Sequence, residues 1–180
     1  MPIMPSKYTF TEYSPAWAVM FEQEAARLLQ LLGDELISVH HIGSTAVPGL
    51  AAKPIIDVLP VTRDLGRIDE LAPALVDAGY TAWGEYGIAG RRYFTKDQDN
   101  VRTHNVHVFE HGRLQIERHL AFRDFLRSHD AVRDEYGALK REVYARHPDD
   151  IEAYMDGKDA WIKHVEREAV AWYRRRQLRR

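Results

Sequence analysis

The chain has 180 residues, with 25 basic and 27 acidic side chains, nine histidines and no cysteine. That length falls within the ~100–200 residues of one domain and predicts a single unit over residues 1–180. A composition that is 45% hydrophobic and 29% charged excludes a disordered chain. The absence of cysteine excludes disulfides, thiol catalysis and Cys-ligated metal, so any metal must be held by His, Asp, Glu or backbone oxygen.

The net charge of −2 gives no global field for nucleic acid. Arg167, Arg174, Arg175, Arg176, Arg179 and Arg180 stand against Glu166 and Glu168 at the C-terminal end, a local +4. Such a basic end either touches RNA or anionic lipid or is a solvated, fraying helix end whose cations complement the helix dipole, and the second reading is favoured. The segment Met1–Phe10 lacks the apolar core of a signal peptide. No apolar run approaches the ~20 residues that cross a bilayer. A soluble, cytoplasmic protein without membrane contact is expected.

In chain order, Trp17, Met20, Phe21, Leu28, Leu31 and Leu32 share a helical face. Ser14-Pro15 starts that helix and Gly33 stops it, predicting a helix over 15–32. Ile37–Ile42 reads as a strand ending at a Gly-Ser turn, and Pro54–Val61 as a second strand. Leu65, Ile68, Leu71 and Leu75 suggest a helix up to Gly79, with Pro73 kinking or splitting it. Strands are expected at Tyr80–Tyr86, Arg92–Lys96 and Asn105–Glu110, with turns at 87–90 and 97–100. Three helices follow, marked by Leu114 to Leu126, by Val132 to Val143, and by Asp150 through Trp172. This order predicts an α/β (α+β) domain, a mixed sheet flanked by helices with a helical C-terminal half.

Chemistry is expected between His40 and Val61. Asp57 sits inside an apolar strand, where an unpaired carboxylate costs several kcal/mol, so it must be paired, protonated or on a metal. Alternation places Ile55 and Leu59 on its face and Ile56 and Val58 on the other. Gly43-Ser44-Thr45 follows the preceding strand, and amides and hydroxyls in such a turn make an anion cradle. A phosphate cradle beside a carboxylate is what phosphoryl or nucleotidyl transfer needs. Lys53, between the two, is placed to reach a phosphate as a point charge or to stay a surface lysine. His41, just before the turn, is a candidate acid–base group or ligand, while its neighbour His40 points to the opposite face.

The run HIGSTAVPGLAAKPIIDV, together with RRYF (91–94), HNVHVF (104–109), HLAFRDFLR (119–127), Tyr136…Lys140 and Tyr154…Lys158, resembles the GrpB family. That family belongs to the nucleotidyltransferase superfamily, whose pattern is Gly-Ser, a spacer, then Asp-x-Asp or Asp-x-Glu. The resemblance implies a nucleotidyltransferase-like sheet and a divalent metal (Mg, Mn or Zn) on the carboxylates. It also implies nucleotide contacts from Gly43, Ser44, Thr45 and Lys53, and from Arg91 or Arg92, only one of which can face the site. One departure stands out, because Leu59 occupies the place of the second carboxylate. The strand matching the superfamily's third carboxylate offers Asn105 and His107 on one face. A site of Asp57 with His107 suits Zn, Mn or Fe better than Mg. His119, Arg123, Asp124 and Arg127 form a cluster that is either solvated or turned toward an anion. Tyr154 and Lys158 share a helix face and are further candidates.

Two functions follow from this reading. One is a metal-dependent nucleotidyltransferase moving a nucleoside monophosphate from a nucleoside triphosphate to a small-molecule acceptor, with Asp57 and His41 catalytic and Asp57 and His107 on the metal. The other is a non-catalytic ligand-binding or accessory module related to coenzyme A biosynthesis, since GrpB-like domains occur fused to dephospho-coenzyme A kinases.

Overall fold

A computed structural model of the chain describes residues 8–179. Arg180 of the basic cluster and residues 1–7 lie outside the described residues. The elements run α1 (Ala16–Leu32), β1 (Leu36–Ile42), β2 (Ile56–Thr62), α2 (Leu65–Asp77), β3 (Tyr80–Ala82), β4 (Arg91–Gln98), β5 (Val101–Glu110), α3 (Leu114–Ser128), α4 (Asp130–Arg146) and α5 (Ile151–Gln177). Short 3-10 turns precede β1 and follow it at Gly33–Glu35 and Ser44–Ala46.

The five strands form one mixed sheet in the order β1-β2-β5-β4-β3, with β2 and β5 parallel and the remaining neighbours antiparallel. The β2–β5 register sets Asp57 beside Asn105, and the β1–β2 register sets it opposite Ile42. Ile56, Val58, Val106 and Val108 face α1 and α2, where they meet Trp17, Leu28, Leu32, Ile68 and Leu75 in the main core. The other face carries Ile42, Leu59 and Phe109 against Ile116 and Leu120 of α3.

Periodicity placed the helices well, because each has a buried stripe. Gly33 ends α1 at φ +54 with its N–H bonded to Leu29 O, and Asp64 and Asp150 cap α2 and α5. Two expectations change. The strand expected at Tyr80–Tyr86 closes at Ala82, and Gly84, Tyr86, Gly87 and Gly90 all take positive φ in the loop that follows. Pro73 stays inside a continuous α2 and does not split it. Among the described residues, no helix is long and apolar enough to cross a membrane.

Candidate functional site

A cleft of about 340 Å³ opens between the Asp57 face of the sheet and the three C-terminal helices. Asp57 lies at its floor with a side chain 28% exposed. Gly43 makes the turn above it possible. A Cβ at Gly43 would sit 2.5 Å from Asp57 Oδ2, and its φ of +71 belongs to glycine. The Gly-Ser turn is therefore seated directly on the carboxylate. From the helical side, Arg127 Nε donates to Ala46 O (2.8 Å) and Arg123 Nη1 donates to His41 O (3.1 Å), holding the turn through its flanking carbonyls.

Asp57 Oδ1 accepts from Asn105 Nδ2 at 2.9 Å and faces His107 Nε2 at 3.4 Å. Burial pushes the Asp57 carboxyl up, but these two partners and the charge of Lys53 outweigh it and hold it below the usual carboxylate range. His107 Nδ1 lies 3.2 Å from Arg91 Nη1. A guanidinium only donates, so Nδ1 accepts and Nε2 carries the proton toward Asp57. Tyr93 OH donates to Asn105 Oδ1 (2.9 Å) and orients that amide.

The expected site residues divide into those at the cleft and those elsewhere. Gly43, Ser44, Thr45, Lys53, Asp57 and His107 all line it. His41 does not. It pairs across from Val58 on the opposite face of the sheet, stacks on Phe21 (4.8 Å between rings) and meets Thr45 Oγ1 at 2.9 Å. Burial lowers its pKa to about 4, so His41 braces the turn as a neutral imidazole. The Thr45 hydroxyl is thereby taken up by His41 and by Ile55 O. Arg92 faces α2 and pairs with both Asp69 oxygens, away from the cleft. Arg91 lies on the site's face, yet it donates to Tyr86 O (2.7 Å), Glu85 O (3.2 Å) and His107, which leaves it a brace of the 83–90 loop.

The helices bring in Lys158, a candidate from its shared face with Tyr154, and Lys140, to which the sequence assigned no role. Lys140 of α4 and Lys158 of α5 reach the cleft beside Lys53, and only 1% and 7% of their surfaces are exposed. Lys140 Nζ lies 4.5 Å from the Tyr136 ring centre and Lys158 Nζ 4.9 Å from that of Tyr154. Lys53 Nζ stands 5.4 Å from the Tyr154 ring. Both helices repeat a Tyr-x-x-x-Lys spacing, which places ring and amine on one face. That repeated spacing was the available signal. Tyr136 also reaches the Ser44 hydroxyl, and its pKa is pushed up chiefly by burial. Trp161 stacks on that ring at 4.5 Å and 4°. His119 lines the cleft and is lowered to about 4 by burial, then by His107. The cleft's second acid, Glu166, accepts from Arg118 at 2.7 Å.

The donor set is a poor fit to the divalent ion expected from the family resemblance. No group of three or more His, Asp or Glu is placed to hold an ion among the described residues. His107 presents a proton to Asp57, where a ligand would present a lone pair. Leu59, at the place of the second carboxylate, is fully buried among Ile42, Phe109 and Leu120.

The sheet and its cleft define a domain of nucleotidyltransferase-like fold. The structure superposes on Cid1 in complex with its short product ApU at a TM-score of 0.51 and 12% identity, covering 82% of this chain and 48% of that one. The chain belongs to the GrpB family, whose sequence model, GrpB protein, matches residues 7–168. The crystal structure of conserved protein GrpB from Enterococcus faecalis is 46% identical, with a TM-score of 0.88 over 92% of this chain and 99% of that one. UPF0157 protein YqkA of Bacillus subtilis (strain 168) is 49% identical over 160 residues, 89% of this chain, which spans 46% of that protein. Dephospho-CoA kinase of Mycolicibacterium paratuberculosis is 29% identical over 182 residues, 88% of this chain and 45% of that protein.

Proposed function

We propose that the cleft binds a nucleoside triphosphate and supports transfer of its nucleoside monophosphate to a small-molecule acceptor. The observation that carries this reading is the meeting of three lysines, from a loop and two helices, with the Gly43–Thr45 turn and Asp57 around one opening. Lysine ammoniums and the Ser44 hydroxyl supply contacts for phosphate oxygens. Asp57, kept ionised, accepts the proton of an acceptor hydroxyl. The acceptor oxygen bonds to the α-phosphorus as the bond to the β-phosphate oxygen breaks. Pyrophosphate leaves against the lysines, which take up the charge developing on it.

Titration calorimetry with ATP, GTP, CTP and UTP tests the binding step. Saturable binding of at least one, weakened tenfold or more in Lys158→Ala, is expected. No heat from any of the four counts against the reading.

A second reading, a binding module without transfer, draws support from Leu59 in the apolar core and from the relative named as a dephospho-CoA kinase. It predicts the same nucleotide binding with no pyrophosphate released in the presence of candidate acceptors. Phosphorus NMR of such mixtures separates the two.

A further inference from the structure

We infer that this cleft holds a polyphosphate anion on its lysines alone, without a divalent ion. The inference rests on the reading of the cleft as a nucleotide site and concerns how that site meets the ligand's charge.

Charge balance is the first support. Among the described residues, Lys53, Lys140 and Lys158 have no carboxylate within 4.0 Å. Their contacts are tyrosine faces and the Met155 sulfur, 3.8 Å from Lys53 Nζ and 3.3 Å from Lys158 Nζ. Lys140 Nζ is buried with no hydrogen-bond partner at all. With Arg118 neutralised by Glu166 and His119 uncharged, three amines face the single carboxylate of Asp57. Holding these buried amines in their protonated form without counter-charge is unfavourable. A dianion or trianion removes that penalty. A divalent cation, on the same Coulomb argument, adds to it.

The carboxylate is the second support. Asn105 Nδ2 and His107 Nε2 both direct hydrogens at Asp57 Oδ1, and Oδ2 packs against Gly43. Arg91 fixes the His107 tautomer from behind. For His107 to ligate, its proton would have to move to Nδ1 and face a guanidinium. Asp57 is thus supplied with donors by the protein itself, which is how a carboxylate is held in place without an ion. The phosphates then meet Lys140 and Lys158 directly, and Asp57 repels them.

That last point reverses the sign of a familiar experiment. In a metal-gripping site, Asp57→Asn abolishes binding. Here it removes a repelling charge and leaves an amide oxygen to accept from Asn105 and His107. The test is calorimetric titration of the full chain with inorganic triphosphate and with ATP, once in EDTA and once in excess Mg²⁺ or Mn²⁺. EDTA is expected to leave the affinity within about twofold or to improve it, since metal competes with the lysines for phosphate oxygens. In EDTA, Lys140→Met and Lys158→Met should each weaken triphosphate binding at least tenfold, and Asp57→Asn should tighten it severalfold. Binding seen only with metal, or lost in Asp57→Asn, overturns the inference and leaves the nucleotide reading standing. Absence of binding under both conditions overturns both.

Discussion

Lys140 is an amine in the wrong solvent. Burial, then the charges of Lys158, Arg141 and Lys53, lower its pKa to about 6, and Lys158 is lowered to about 8, chiefly by burial. The groups gathered around Lys140 come from every neighbouring element, with Lys53 and Asp57 from the sheet side, Tyr136 and Arg141 from α4, and Tyr154 and Lys158 from α5. In an unfolded chain the same amine titrates at ~10.4. From pH ~6 to ~10 the unfolded state therefore holds the extra proton, and stability rises with pH across that window. Below pH ~6 both states are protonated and the burial cost is present in full. Lys140→Met removes a buried donor without a partner, a change of about 1–3 kcal/mol or more. In a chain of this size that is roughly 2–12 °C in Tm. Scanning calorimetry is expected to show a higher Tm for the variant at pH 7 and a flatter rise from pH 7 to 9. A lower Tm at pH 7 would contradict the strain ascribed to Lys140. For the anion the sign is opposite, because a bound phosphate favours the protonated amine and affinity should fall as pH rises.

At the scale of elements, the contact between α4 and α5 sets the width of the cleft. Gly157 of α5 faces Val143 of α4 so closely that a Cβ would lie 2.6 Å from Val143 Cγ1. Gly157 adjoins Lys158, and Val143 lies one turn beyond Lys140. Alanine is the better helix former by ~1 kcal/mol, so propensity alone predicts that Gly157→Ala stabilises. Overpacking against Val143 costs about 1–3 kcal/mol, and the net expectation is a lower Tm. The two lysines should also part and triphosphate binding weaken about tenfold, as read by calorimetry, with helical circular dichroism unchanged. A higher Tm with unaltered binding would show that the helices do not meet there. Elements of this kind were legible before the structure, because a buried stripe leaves a period. The 83–90 loop was not. Its aromatic residues Trp83 and Tyr86, the latter stacked on Tyr93 of β4, imitate strand composition, while Gly84, Gly87 and Gly90 take positive φ and turn the chain away.

Across the whole molecule, the site joins residues roughly a hundred positions apart. The acid and the turn come from β1, β2 and the loop between them, and two of the lysines come from α4 and α5. Asp57 could be singled out in the sequence because a charge inside an apolar strand violates a local rule. Lys140 violates none, since a lysine on an amphipathic helix ordinarily faces water, and only tertiary packing turns it inward. Parity along a strand separated Arg91 from Arg92, but it could not show that Arg91 is engaged by carbonyls of the preceding loop. His41 was misplaced for a related reason. Its position next to the turn is certain from sequence, whereas its face depends on which side of β1 meets Phe21.

The parallel stack of Trp161 on Tyr136 has a practical consequence. Tyr136 lines the cleft, and the indole stacked on its ring is tied by Nε1 to Glu135 at 2.7 Å. An anion held in the cleft would alter the field at that indole, which would make Trp161 an optical reporter of the proposed binding. Tryptophan emission should shift in intensity or wavelength on titration with triphosphate, and the change should vanish in Trp161→Phe while Trp17, Trp83 and Trp172 go on emitting. An undiminished change in that variant would place the responding indole elsewhere. With such a signal, rapid mixing can follow arrival and departure of the anion without a label.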